Sequence, residues 1–108
     1  MNHSAEFEAL RREYIRSALQ RSRILKEAAS ALRRGEAVDL NALRQEIHKF
    51  RGSGGFYGFP RLSEAAGNAE DQLIRVLDGE TERDDRALAE LVEQVITEAE
   101  EAARSIGE

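Results

Sequence analysis

A lone histidine in a helical pattern, His48, is followed by four glycines, Gly52, Gly54, Gly55 and Gly58, in the seven residues that run from Gly52 to Gly58. Two arginines, Arg44 and Arg51, stand within a turn on either side. A glycine inside a helix costs about 1 kcal/mol relative to alanine, so Gly52, Gly54 and Gly55 together give up roughly 2 to 3 kcal/mol of propensity. Bare backbone at that point lets a bulky reactant approach the ring. A neutral imidazole is a nucleophile, and its reference pKa of about 6.5 leaves much of it unprotonated near neutrality. With cations beside it to stabilise charge on transferring oxygens, the chemistry indicated is phosphoryl transfer from the phosphorylated side chain of another protein.

A helical projection at about 100° per residue places the apolar residues Leu40, Leu43, Ile47, Phe50, Gly54 and Tyr57 on one side and His48 at its flank. Gly52 lies about 40° and Gly55 about 20° from His48, Arg44 about 40° and Arg51 about 60°. These form a strip of backbone edged by arginines. Lys49, about 100° away, reads first as a solvated charge and second as a partner contact. Gly54 falls on the apolar face, where close helix packing explains it, so Gly52 and Gly55 are the access glycines. Phe56, Tyr57 and Phe59 read as core residues closing a hairpin, with Phe56 also a candidate for touching a partner. His3 belongs to the terminus and is assigned no role.

The elements that hold this strip are helices. Helix formers dominate, and the one proline, Pro60, stands where it would open a helix rather than break one. A first segment, about 5–33, follows Ser4 as a possible N-cap and carries Phe7, Leu10, Tyr14, Ala18, Leu25, Ala28 and Leu32 at helical spacing, with Gly35 as its stop. Its length leaves room for a break near Gln20 to Ser22. Tyr14, Ile15 and Leu19 could contribute to a docking patch but read mostly as core. Asp39 can cap a second helix, 40–57, which carries His48. A third, 60–78, ends at Asp78-Gly79, and a fourth, 84–106, shows Leu88, Leu91, Val92, Val95, Ala99, Ala102 and Ile106. Four amphipathic stripes on short connections predict an all-α, antiparallel up-down four-helix bundle forming one domain over residues 1–108.

The turn at Gly58-Phe59 folds the second and third helices back on each other, so residues equidistant from it face one another. His48 then lies level with Ala69 and Glu70. Ala69 belongs to the apolar stripe, which leaves Glu70 at its edge, placed to accept a hydrogen bond from one ring nitrogen and leave the other as the nucleophile. A register error of one residue would substitute Asp71 or Asn68.

Composition narrows the alternatives. The 108 residues, 41% apolar and 34% charged, suffice for one small core. Without cysteine there is no disulfide framework, thiolate metal site or thiol nucleophile. The start has neither a basic nor an apolar leader region, the opening methionine suits a complete protein, and no window approaches the roughly 18 apolar residues of a membrane span. A soluble, cytoplasmic protein is expected. A net charge of −5 and a pI near 5.2 oppose broad attraction to nucleic acid or anionic lipid. The run from Glu98 to Ala103 reads as a solvated acidic face.

The stretch resembles the histidine-containing phosphotransfer (HPt) domains of multistep phosphorelays. That family sets a helix-borne histidine, an aliphatic or aromatic residue two on, a basic residue three on, glycine four on, small residues, then Gly-Phe or Gly-Leu before the next helix. Here these are His48, Phe50, Arg51, Gly52, Ser53 with Gly54, and Gly58-Phe59. The family's polar partner on the following helix, glutamine or glutamate, matches Glu70, the residue reached independently from the hairpin. Arg51 stands where lysine is common, exchanging a compact ammonium for a wider planar donor.

The resemblance implies that His48 accepts a phosphoryl group through Nε2 from a receiver-domain phosphoaspartate, or from a histidine kinase or hybrid kinase, and passes it to a receiver aspartate. It implies a monomeric carrier with no cofactor of its own, the Mg2+ being the receiver's. Neither a G-x-x-x-x-G-K-[ST] nor a G-x-G-x-x-G nucleotide motif occurs. Two other readings compete: a phosphate-independent docking or inhibitory module for a receiver or kinase, and the phosphoacceptor domain of a larger kinase.

Overall fold

The computed structural model describes residues 3–107, which form four helices: α1 (His3–Arg33), α2 (Leu40–Phe56), α3 (Pro60–Leu77) and α4 (Asp85–Ser105), with no strand among the described residues. Local chemistry sets most of the ends. The Asp39 carboxylate accepts from the Ala42 amide at 3.0 Å and the Asp84 carboxylate from the Ala87 amide at 3.1 Å, so both aspartates are N-caps lying just outside their helices. Pro60 takes the first position of α3, where a missing N–H costs nothing. Between α2 and α3, Gly58 adopts φ +82°, and the amides of Gly58 and Phe59 return to the carbonyls of Gly55 and Gly54, a Schellman closure that turns the chain in three residues. Gly35 and Gly79 close α1 and α3 with the same hydrogen-bond pattern.

The helices run up and down, α1 packing on α4, α2 on α3 and α3 on α4, while α1 and α2 scarcely meet. The core comes from all four: Ile15, Leu25 and Leu32 from α1, Ile47 from α2, Leu62 and Leu73 from α3, and Leu88, Val92 and Val95 from α4 are essentially without solvent contact. Burying each such side chain contributes about 1.5 to 3 kcal/mol, which is how four marginal helices hold one another in place.

Three expectations for α1 are corrected. The helix is continuous through Gln20 to Ser22: the Ser22 hydroxyl donates to the Leu19 carbonyl one turn back at 2.6 Å, which satisfies it inside the helix and lets the residue be buried. Ser4 lies within the helix rather than capping it. Phe7 and Leu10, read as part of the buried stripe, are 38% and 50% exposed. At 1.5 Å per residue, the 31 residues of α1 outreach the 21 of α4. Arg12 already bonds the Ile106 carbonyl beyond the end of α4, so the preceding turns of α1 overhang the bundle. The His3 side chain lies outside the described residues.

Of the two readings of Phe56, core residue and exposed partner contact, the first is corrected: the side chain is 72% exposed and rests edge-on against Tyr57 at 4.9 Å between ring centroids. Tyr57 is half-buried, stacked on Tyr14 at 4.6 Å, and Phe59 is buried. The hairpin is therefore closed by the second and third aromatic residues, and the first is left in solvent.

Candidate functional site

His48 projects from the middle of α2, with two-thirds of its side chain exposed, and its Nδ1 lies 2.7 Å from Oε2 of Glu70 on α3. Glu70 is one of two buried polar residues among the described residues, the other being Ser22. Its carboxylate is covered by three donors: His48, Arg51 Nη1 at 3.1 Å on Oε1, and Arg44 Nη1 at 3.4 Å on Oε2. Burial by itself would raise this carboxyl. Hydrogen bonds from His48 and Arg51 outweigh it and hold the group below its ordinary value of 4.5.

The arginines decide the tautomer: two guanidinium groups donate to this carboxylate and favour its ionised form whatever the ring does. An ionised carboxylate only accepts, so the proton of the contact belongs to the imidazole: Nδ1–H donates to Glu70. The lone pair of a neutral ring is then on Nε2, which has no hydrogen-bond partner among the described residues, on a ring that is two-thirds exposed. The packing of α2 on α3 thus orients the ring and sets a buried carboxylate behind it, an arrangement that suits Nε2 for nucleophilic attack.

The glycines divide by what a side chain would meet. At Gly52 an added Cβ would encounter nothing within 4 Å, so no packing requirement explains the missing side chain. At Gly54 it would come within 3.2 Å of the Ser63 backbone nitrogen and 3.4 Å of Leu62, so this glycine brings the two helix backbones together. Gly55 is exposed, but an added Cβ would touch the Ser63 side chain at 3.5 Å. It therefore borders α3 as well as solvent.

Arg44 and Arg51 join the His48 and Glu70 cluster. Lys49 does not: it pairs along α2 with Glu46 at 3.2 Å and lines a groove between α1 and α2 together with Tyr14, Ser17, Arg21 and Ser53. Phe56 lies about two turns further along α2, at the exposed end of the bundle. One residue that sequence reasoning passed over belongs to the cluster. Gly67 on α3 is buried because the Arg51 side chain lies across it, and an added Cβ would come within 3.2 Å of Arg51 Nε. The signal for it was present: the hairpin register that sets His48 against Glu70 sets Arg51 against Gly67. Arg51 Nη1 also reaches Asp71 at 3.0 Å, the residue weighed only as a register error. Among the described residues no group of three potential metal ligands occurs.

A helix-borne imidazole with a fixed tautomer, an open approach and adjacent guanidinium groups agrees with the comparison by sequence. The family model of the Hpt domain matches residues 9–104, essentially the whole chain. The chain belongs to the Hpt domain family. No curated protein and no solved structure matches it significantly. Hpt domains are four-helix phosphocarrier modules that interact with receiver domains and kinases in two-component phosphorelays, and the helical architecture found here is theirs. No helix of the Hpt domain described here is long and apolar enough to cross a membrane.

Proposed function

We propose that this protein is a phosphoryl carrier in which His48 is the acceptor, receiving the group from a receiver-domain phosphoaspartate, or from a kinase, and delivering it to a receiver aspartate. The observation that carries the reading is the 2.7 Å contact between His48 Nδ1 and the buried carboxylate of Glu70, on a ring that is two-thirds exposed.

In the forward step the Nε2 lone pair attacks phosphorus. The N–P bond forms as the bond from phosphorus to the aspartyl oxygen breaks, and that electron pair leaves on the aspartate carboxylate. The ring retains its Nδ1 proton and becomes cationic, and the carboxylate of Glu70 stands directly behind the developing charge. Transfer to the next aspartate reverses these events. Arg51 and Arg44 supply positive charge beside the path, and Gly52 leaves the approach uncovered. Mg2+ belongs to the receiver's own site and no cofactor is carried here; we place the reaction in the cytoplasm with the carrier as a monomer.

The test is incubation with a panel of phosphorylated receiver domains, following acid-labile, base-stable phosphate on the wild type and on His48→Gln. Label on the wild type alone is expected. Absence of label from every receiver and kinase would refute the carrier role in favour of a phosphate-independent docking module. Because His48 is exposed, the substitution leaves the core intact, and an unchanged circular dichroism spectrum checks this.

A further inference from the structure

Arg51 is held before any phosphate arrives. One nitrogen, Nη1, is shared between Glu70 Oε1 at 3.1 Å and Asp71 Oδ1 at 3.0 Å, and the guanidinium lies in the gap left by the missing side chain of Gly67. The two carboxylates differ in kind. Glu70 is buried and also bonds His48 and Arg44, whereas the Asp71 side chain is 61% exposed and its only ion pair among the described residues is with Arg51. Glu70 is needed to orient the imidazole. Nothing in that orientation requires Asp71.

Resting on the carrier reading above, we propose that Asp71 and Gly67 form a latch that detains Arg51 on α3, and that Asp71 is a positioning residue which keeps the phosphohistidine readily transferable. Charge makes the argument. Arg44 and Arg51 are matched by Glu70 and Asp71, so the site is close to neutral before reaction. A phosphoryl group on Nε2 carries about two negative charges on its oxygens, of which the cationic ring offsets one, and Arg51, one helical turn from His48, is a natural cation to pair with those oxygens. Every interaction that holds Arg51 on Asp71 is one that the phosphohistidine must compete with. A carrier that must give its phosphate away benefits from a cation engaged elsewhere, because tight neutralisation would stabilise the intermediate and slow its discharge.

Gly67 makes the idea separable from simple repulsion between Asp71 and phosphate. Gly67→Ala would place a methyl group 3.2 Å from Arg51 Nε, against the end of a flexible side chain, so the guanidinium moves and the backbone need not. The helix gains propensity while the latch loses its seat.

The experiment labels the protein with phosphoramidate, a small phosphoryl donor, and compares wild type, Asp71→Asn, Gly67→Ala, Arg51→Ala and the double variant Asp71→Asn with Arg51→Ala. Two readouts are used: the 1H–15N resonance of the Arg51 ε-NH before and after labelling, and the equilibrium of phosphoryl exchange with one receiver. In the wild type the Arg51 resonance should shift on labelling. Asp71→Asn and Gly67→Ala should each shift it beforehand and move the exchange equilibrium roughly two- to fivefold toward the phosphohistidine, the range expected for an exposed ion pair. The gain should shrink at high salt and vanish when Arg51 is absent. An effect of Asp71→Asn that survives Arg51→Ala, or a Gly67→Ala protein indistinguishable from wild type in exchange, overturns the latch while leaving the carrier role intact. Failure of the wild type to take label from phosphoramidate and from every receiver is the different result that removes the carrier reading, and the latch with it.

Discussion

The two halves of the bundle are built to different rules. The α1 and α4 pair contains no glycine, and its ion pairs join exposed side chains, Arg33 with Glu93, Lys26 with Glu100 and Arg104 with Glu101 among them. The α2 and α3 pair contains four helix-interior glycines, Gly52, Gly54, Gly55 and Gly67, and the buried carboxylate of Glu70. One pair follows what helix stability asks for. The other departs from it repeatedly, and most of those departures gather around one imidazole. Violations of local preference that cluster in this way mark a site, because a fold that needed only stability would have placed alanine and leucine there.

The largest test separates a glycine required by packing from one that packing does not require. Gly54→Val should cost about 2 to 3 kcal/mol, because the added carbons meet backbone at 3.2 Å and backbone cannot swing aside as a side chain can. Urea unfolding monitored by circular dichroism measures it. A loss no greater than that for valine on an exposed helix face would show that α2 and α3 can separate freely, and the contrast between the two pairs would weaken.

Glu70 comes next. Glu70→Gln keeps the shape but offers donors where Arg51 and Arg44 already donate, and should lower stability by about 1 to 2 kcal/mol at pH 7. The sign with pH follows from its lowered pKa. The folded protein holds fewer protons on this group than the unfolded chain does, so its contribution is fully present above the ordinary carboxylate range and is lost as pH falls through the folded value. The difference between wild type and Glu70→Gln should therefore close in acid, where both carry a neutral side chain. Unfolding midpoints compared at pH 7 and pH 3 decide it, and a gap of constant size would mean that the carboxylate contributes nothing through its charge.

Much of this was legible from residues alone. Periodicity located four helices, and Asp39, Pro60, Gly35 and Gly79 marked several of their ends, because such signals act locally and need no tertiary information; that Asp84 caps the fourth helix rather than opening it came from the structure. The contact between His48 and Glu70 was reachable because a short turn fixes the register of a helical hairpin. What escaped depended on relations between distant segments. Phe7 and Leu10 have the spacing of core residues, and only the shorter length of α4 leaves them exposed. Phe56 is adjacent to the residues that close the hairpin, but the rotation of the last turn of α2 points it outward. Gly67 was readable from the same register as Glu70, yet in an alanine-rich stripe a glycine looks like one more small residue until Arg51 is seen lying over it.

Gly52→Ala sharpens the comparison from the opposite direction. An added methyl meets nothing within 4 Å, so the helix should gain about 1 kcal/mol, which for a domain of this size raises Tm by roughly 4 to 8 °C. A leucine at the same position should also fold but should slow phosphoryl transfer, since its longer side chain covers the approach to His48. Thermal melts and transfer rates on the same samples test both parts. A Gly52→Leu protein that transfers at the wild-type rate would leave the glycine with neither a packing nor an access explanation.

The smallest effect is expected on the other pair of helices, and it tests whether function is confined to α2 and α3. Arg33 and Glu93 form a two-bond contact at 2.7 and 2.6 Å, shorter than either arginine contact to Glu70. By distance alone it is the better ion pair. Yet both side chains are about two-fifths exposed, so each exchanges its partner for water at little cost and salt screens what remains. Arg33→Ala should change the unfolding midpoint by less than the gain from Gly52→Ala and leave phosphate acceptance by His48 unaltered. Because Arg33 is at the far end of α1 from the overhanging turns, a drop in transfer rate in this variant would show that α1 and α4 reach the reaction through the core, and the division of the bundle into a stabilising and a reactive half would not hold.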